Sequence, residues 1–420
     1  MRCPRLLVPA VLPLLTLPLL SHAQSLTVAQ GENLGAIVQT PDADQATITG
    51  GNVGSLQQGE GQDKFNMSGG TLGTLNQGGA MDEFVMTRGA ITDAFEDGDN
   101  AWFKGGSIRR IDLKMADNFF EMSQNLGVET IVVANVVSGL GKDWYDLFGG
   151  TIGGDLSSSS GDDVINVKGV NLKGEIRAGQ GDDRLNWTSG KIGKKADMGA
   201  DNDTATVSTL DLSSSTVLLD GGTGTDTLTF QQAKVGQGAL YVNWESINLN
   251  QGSRLTLNDS LVLGDLGSDQ PPIAAATGTG TLQIDATSTL ISHRGSIVSI
   301  QNGSKASVVN AGTIDLSGGN DAQGRLTIQG TTPALTAPCA LTACWPATVP
   351  PPTAWWSAVV RLTALPSCSS TTSMAPVQPP RRTAFKSLKR VTARSARPPH
   401  LSRPRLFQPA PTTTGCSKAA

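Results

Sequence analysis

Cysteine is absent from the long middle part of this chain. Five cysteines occur in 420 residues, and none lies between Ala23 and Gly330. Disulfides and cysteine-based zinc sites are therefore excluded from that segment, and its stability must come from non-covalent packing. A cysteine-free segment also suits a protein that crosses a second membrane unfolded, because a disulfide formed on the way would block threading through a narrow pore.

Histidine is almost as scarce in the same segment. Of three histidines, only His293 lies between Ala23 and Gly330. A Ser-His-Asp or Cys-His arrangement would depend on this residue alone. We interpret His293, next to Arg294, as an exposed corner residue and predict no nucleophilic active site.

Acidic residues are missing from the C-terminal tail, residues 331–420. This tail has no Asp or Glu, eleven Lys and Arg, most of the prolines and four of the five cysteines. The formal net charge of −4 therefore averages two unlike segments. Neither nucleic-acid binding nor solubility can be argued from it, and we predict no nucleic-acid partner.

A repeat of about nineteen residues fills much of the cysteine-free segment. A glycine pair, replaced by Arg88-Gly89 in the third copy, recurs with two apolar residues, and each copy precedes a polar turn and a short alternating stretch; the copies are residues 50–56, 69–75, 88–94 and 105–111. A period of this size indicates one supersecondary unit stacked on itself. Because the apolar spacing is strand-like, we predict an all-β chain that forms a right-handed parallel β-helix, or β-solenoid. A disordered glycine-rich repeat is the alternative.

The first 23 residues have the pattern of a secretory signal peptide. Arg2 and Arg5 precede an apolar run over residues 6–20, and small residues mark a cleavage site before Gln24. The apolar run is too short and too interrupted by proline for a membrane span. We therefore expect export by the signal peptide.

The repeat changes along the chain without ending. The period blurs between Ser123 and Leu147, where we expect a longer corner or a small inserted loop. It resumes at residue 149, and glycine- and aspartate-containing corners then follow about one coil apart. We predict β-helix repeats over residues 24–250 and further β-helix rungs over residues 251–330.

Three phrases near the end of the repeats carry a family resemblance. Residues 280–286, 309–316 and 324–330, among them Gly312-Thr313-Ile314-Asp315, resemble the C-terminal passenger region of bacterial type V autotransporters of the pertactin-like kind. The resemblance covers residues 24–330. It implies a β-helix passenger, an autochaperone-like segment at its end, and an outer-membrane barrel of the same gene as partner.

The tail departs from the family pattern at Thr331. It is rich in proline, arginine and serine, and we predict that it is disordered and carries no barrel. If each codon of the tail is read from its third base, the codons of residues 338–356 can encode a sequence like the one that the family carries at this place. We therefore favour a frameshift after about Gly330 over a genuine proline-rich tail. The intact protein would then be at the cell surface or extracellular, and the present product periplasmic.

A calcium site is one functional alternative. Residues 221–229 match the calcium-binding nonapeptide of RTX proteins, and four aspartates recur about one coil apart: Asp163, Asp183, Asp203 and Asp226. The nonapeptide does not repeat nine residues on. We therefore favour structural corners in which each Asp caps its own turn, and we predict no cofactor, with a calcium-binding solenoid as alternative.

A polysaccharide-cleaving enzyme is the other alternative. The pairs Asp162-Asp163 and Asp182-Asp183 could supply carboxylates, and Arg177 and Arg184 could neutralise uronic acids. Adjacent strand residues point to opposite faces, however, so neither pair is aimed at one bond. We predict no catalytic residues.

The resemblance thus implies a non-enzymatic passenger that serves adhesion or another surface contact, a use that no site in the sequence carries by itself. Its partner would be a host surface or a glycan, and Trp102, Trp187 and Trp244 could stack on sugar rings if they faced outward. Aromatic residues in such rungs more often fill the core.

Overall fold

Short parallel strands joined by tight corners make up the described chain. The computed structural model describes residues 22–265, 267, 278–301, 304–317, 324–331 and 361–362. All of them belong to one unit, residues 1–365, whereas the second unit, residues 366–420, lies wholly outside the described residues. The described unit is a parallel β-solenoid of about 14 turns, which confirms the predicted fold class.

In chain order, the first twelve strands are β1 (Ser25–Val28), β2 (Asn33–Val38), β3 (Gln45–Ile48), β4 (Asn52–Gly59), β5 (Lys64–Met67), β6 (Thr71–Gly78), β7 (Glu83–Met86), β8 (Ala90–Glu96), β9 (Asn100–Phe103), β10 (Gly106–Asp112), β11 (Phe119–Met122) and β12 (Thr130–Val132). The next thirteen are β13 (Val136–Val137), β14 (Trp144–Leu147), β15 (Thr151–Ile152), β16 (Leu156–Ser157), β17 (Val164–Leu172), β18 (Ile176–Gln180), β19 (Arg184–Ile192), β20 (Lys195–Ala200), β21 (Thr204–Ser208), β22 (Asp211–Leu212), β23 (Leu218–Asp220), β24 (Thr227–Gln231) and β25 (Lys234–Gly236). A 3-10 turn at Gly238–Leu240 precedes the last twelve, β26 (Tyr241–Val242), β27 (Ser246–Asn250), β28 (Arg254–Leu257), β29 (Ser260–Leu263), β30 (Thr281–Ile284), β31 (Thr289–Ser292), β32 (Arg294–Ser299), β33 (Ala306–Asn310), β34 (Thr313–Asp315), β35 (Arg325–Ile328), β36 (Gly330–Thr331) and β37 (Arg361–Leu362).

One column of strands runs unbroken from β1 to β36, and we call it the first face. Each strand in it pairs in parallel with the next, in the order β1, β3, β5, β7, β9, β11, β14, β17, β19, β21, β24, β27, β30, β33, β36. The pairing of Ser246 with Thr281 carries this face past residue 250 without a break. Each turn therefore contacts mainly its two neighbours, as in other solenoids.

The other sides of the coil are also parallel columns. One begins with β2, β4, β6, β8, β10, β12 and β15 and later comprises β22, β25, β28, β31 and β34. Another comprises β13, β16, β18, β20, β23 and β26, and later β29, β32, β35 and β37. The predicted disorder of the tail concerns residues that, except for Thr331 and β37, lie outside the described ones.

The core is built from stacks of equivalent residues. Val53 pairs with Leu72 and Leu72 with Ile91, the alignment that the repeat predicts. The rings of Phe65 and Phe84 are parallel within 8°, with centroids 5.5 Å apart. Burial of such side chains contributes about 1.5–3 kcal/mol each, so the stacks are a main source of stability in a segment without disulfides.

The glycine pairs form the predicted corners. Gly70 has φ +81°, and a Cβ there would lie 2.5 Å from the Gly50 carbonyl oxygen of the preceding turn. Only glycine fits such a left-handed corner under a neighbouring rung. The period blurs where expected, because Gln124–Gly127 form an exposed corner between β11 and β12. Among the described residues, no helix is long and apolar enough to cross a membrane.

Candidate functional site

An aspartate immediately precedes most strands of the first face. Asp163, Asp183, Asp203 and Asp226, the four calcium candidates, stand just before β17, β19, β21 and β24 and are at most 1% exposed. The same position holds further acidic residues in earlier turns, namely Asp44, Asp63, Asp82, Asp99 and Asp143. We call these nine residues the aspartate ladder. The structure thus brings the four candidates into one column and adds five that the sequence pattern did not single out.

Each carboxylate in the ladder binds the turn before it. The Asp163 backbone N–H donates to Asp183 Oδ1 at 2.8 Å, Asp183 N–H to Asp203 Oδ1 at 2.7 Å, and Asp203 N–H to Asp226 Oδ1 at 2.8 Å. The early turns repeat the pattern, with Asp63 N–H donating to Asp82 Oδ1 at 2.8 Å. The expectation that each Asp caps its own turn is therefore wrong. An inward-pointing carboxylate lies within reach of the backbone N–H at the equivalent position of the preceding turn. The resulting hydrogen bond joins successive turns.

In the later turns, the residue just before the ladder position makes a second, outer series of bonds. Asp162 and Asp182 are exposed, whereas Asp163 and Asp183 are buried. Asn202 N–H donates to Asp182 Oδ1 at 2.9 Å, which is the opposite direction along the coil axis from the inner bonds. These later corners are therefore bonded to both neighbouring turns by two adjacent side chains.

Burial governs the electrostatics of the ladder. Desolvation, with a smaller contribution from neighbouring carboxylates, outweighs the lowering effect of the backbone N–H bonds and raises the pKa of Asp163 to about 7, of Asp183 and Asp226 to about 8, and of Asp203 to about 9. The second carboxyl oxygens of Asp183, Asp203 and Asp226 are buried without a hydrogen-bond partner. Burial therefore favours the protonated form of these four carboxyl groups near neutral pH.

This arrangement differs from a typical calcium site. Calcium prefers six to eight oxygen ligands converging on one point, whereas here one carboxylate per turn is bonded to backbone N–H. Within the part of the chain that the structure describes, no group of three or more His, Cys, Asp or Glu side chains is placed to hold a metal ion. In the nonapeptide segment, Asp226 N–H donates to Glu245 Oε2 at 2.6 Å.

In the enzyme alternative, Asp162 and Asp182 lie in neighbouring turns, as do Asp163 and Asp183, but neither adjacent pair converges on one side of the wall. Asp162 and Asp163 lie on opposite sides of the wall, as do Asp182 and Asp183. Arg177 lies in β18, on another side of the coil, where it pairs with Asp155 at 3.1 Å and Glu175 at 2.8 Å.

The tryptophans fall into two groups. Trp187 and Trp244 are 2% and 0% exposed and belong to the core, and Trp244 Nε1 donates to the Leu219 carbonyl oxygen at 3.0 Å. Trp102 is half-buried at an outward position of β9. Of these three tryptophans, only Trp102 therefore faces outward, as stacking on a sugar ring requires.

His293 is half-buried in the bend between β31 and β32.

Comparison with protein-family models, curated proteins and solved structures gives no match. A function for this chain must therefore be inferred from the fold and from the chemistry of its surfaces.

Proposed function

We propose that this chain is a non-enzymatic autotransporter passenger, displayed on or released from the bacterial cell surface, where its outer faces make adhesive or other surface contacts. The observation that carries the proposal is the unbroken first face, in which every turn from β1 to β36 pairs with its neighbours. Resemblance in residues 280–330 supports the family assignment.

Such a stack suits folding during export. Each turn that emerges from a pore can pair with the previous one, since its contacts are local, and the free energy of pairing then opposes return through the pore. The absence of cysteine from residues 24–330 supports the same route, because no disulfide can form before translocation.

A barrel partner would be encoded in the shifted reading frame beyond the Gly330 codon. That frame should contain alternating strands of about ten residues, the pattern of outer-membrane barrels. Absence of such strands from the genomic DNA would contradict the proposal.

Surface exposure is tested with the frame-restored gene in a Gram-negative host. An epitope inserted in the exposed corner Gln124–Gly127 should become accessible to antibody and protease on intact cells. The chain with its present tail is the control and should stay in the periplasm. Restored chains that remain protected inside intact cells would refute the proposed export.

A further inference from the structure

Aromatic side chains cover one part of the outer surface of the first face. Trp102, Phe119 and Trp144 stand at outward positions of three successive strands, β9, β11 and β14, and Phe148 directly follows β14. Phe119 pairs with Trp144, and the Phe119 ring centroid lies 5.6 Å from that of Trp102. Trp144 is 45% exposed and Phe148 46%. We call these four residues the aromatic platform.

The fold itself does not require aromatic residues at these positions. Equivalent outward positions in later turns hold small polar residues, for example Thr204, Thr206, Thr227 and Thr229 in β21 and β24. Those turns keep the same parallel pairing. The cluster of outward rings, of which Trp144 and Phe148 are exposed, is therefore a local addition to the wall, and clustered exposed apolar groups mark interaction sites.

The one enlarged turn of this region borders the platform. Asn118 and Asp143, which precede β11 and β14, are 25 residues apart, whereas Asp143 and Asp163 are 20 apart. The added length includes the exposed corner Gln124–Gly127, and a Cβ on Gly149, next to Phe148, would lie 3.4 Å from Gln124 Cβ. Insertions in repeat proteins often border the binding face.

The charges around the platform cancel one another. Lys104 Nζ lies 4.0 Å from Glu121 Oε1, and Lys168 Nζ lies 3.1 Å from Asp146 Oδ1. Lys168 Nζ is also 5.0 Å from the Phe148 ring centroid. Locally balanced charge is complementary to an uncharged ligand, and it disfavours a polyanion such as a polyuronate.

We propose that the aromatic platform binds a neutral oligosaccharide. The C–H face of a pyranose ring packs on the electron-rich face of an aromatic ring, while its hydroxyl groups can bond to Glu121, Asp146 and the two lysines beside the rings. The inference deepens the proposed surface-contact function, on which its biological meaning rests.

The regular spacing of the strands favours a sugar chain over a folded protein partner. Successive strands are about 4.8 Å apart, so the rings lie on a rigid, regular surface along which an extended chain can place consecutive units. Carboxylate and ammonium groups within the same patch offer both acceptors and donors for hydroxyls. A docked apolar protein surface would leave these four charged groups without water.

The test is binding of the purified full chain to immobilised neutral hexose and N-acetylhexosamine oligosaccharides, with polygalacturonate as the anionic probe. We expect binding to the neutral probes and none to polygalacturonate. Trp144→Ala should weaken binding roughly tenfold, which corresponds to about 1.4 kcal/mol for the loss of one stacking partner. Trp144→Phe should keep most of the affinity. Circular dichroism must show that each variant remains folded.

Two further variants test whether binding needs an aromatic ring and whether it is confined to the platform. Trp144→Leu keeps an apolar side chain without an aromatic face and should bind as weakly as Trp144→Ala. Thr206→Ala, at an outward position away from the platform, should bind like the original chain. Absence of neutral-sugar binding, preference for polygalacturonate, or full binding by Trp144→Leu would each overturn the proposal, the last because the sugar would then not be held by an aromatic face. Export of the frame-restored chain is measured separately, so failure here leaves the proposed export intact.

Discussion

Removing one ionisable group from the aspartate ladder should change how stability depends on pH. Asp203 is fully buried, accepts the Asp183 N–H and donates its own N–H to Asp226. Asp203→Asn keeps the shape and the acceptor oxygen but removes the titration. Burial raises the pKa of Asp203 from 3.8 to about 9. Between those values the folded chain holds a proton at this site that the unfolded chain has lost.

The sign and size follow from this proton difference. Because the folded state binds more protons, the stability that Asp203 contributes is complete below about pH 4 and is lost progressively as the pH rises toward about 9. The slope is about −1.4 kcal/mol per pH unit for one group. Asp203→Asn should therefore gain about 3 kcal/mol relative to the original chain between pH 5 and pH 7.

The assay is urea unfolding of the full chain, followed by circular dichroism at pH 5, 6 and 7. Asp162→Asn is the control, since Asp162 is exposed and its pKa is lowered by its hydrogen bond to Lys142. Its free energy of unfolding should follow that of the original chain across this range. A pH-independent difference between Asp203→Asn and the original chain would refute the reasoning, as would an original chain that becomes more stable from pH 5 to pH 7.

Three further results are expected. Phe84→Ala should cost about 3–5 kcal/mol in urea unfolding because it empties a fully buried stack, whereas Val85→Ala, which points outward, should cost far less. Gly70→Ala should cost about 1–3 kcal/mol because its Cβ meets the preceding turn at positive φ, whereas Gly35→Ala has open space and should be nearly neutral; equal melting temperatures for the two would contradict this. EDTA should leave the melting temperature unchanged, since ladder oxygens accept backbone N–H groups, and a large fall would support the calcium alternative.

The sequence pattern was sufficient to predict the stack and its register. Val53, Leu72 and Ile91 each stand two residues after a corner glycine, and a one-residue slip would turn each of them to solvent. Because the turns are copies, local spacing also determines the long-range pairing, which is seldom true of globular folds. The enlarged corner near Gln124 was predicted for the same reason, as the place where the period fails.

The direction of side-chain bonds could not be predicted in this way. Asp162 and Asp163 are identical in type and adjacent, yet one is exposed and the other bonds the preceding turn from inside. Which of two neighbours points inward depends on the φ and ψ of the corner. The ladder had a usable signal all the same, because Asp63 and Asp82 stand directly before the alternating stretches. The sequence signal for the platform was weaker. Phe119 and Trp144 occupy matching positions of two neighbouring turns, but the irregular insertion between them hides the match.

The central claim is that neighbouring turns pair in parallel in one fixed register. It is tested most directly by disulfide formation between cysteines introduced at Thr206 and Thr229, which are paired outward positions of β21 and β24, in a chain whose five native cysteines are replaced by serine. Paired strand positions are about 4.8 Å apart, within the Cα separation that a disulfide allows. The account predicts rapid crosslinking of 206 with 229 and little of 206 with 227. Equal crosslinking of both pairs, or of neither, would contradict it.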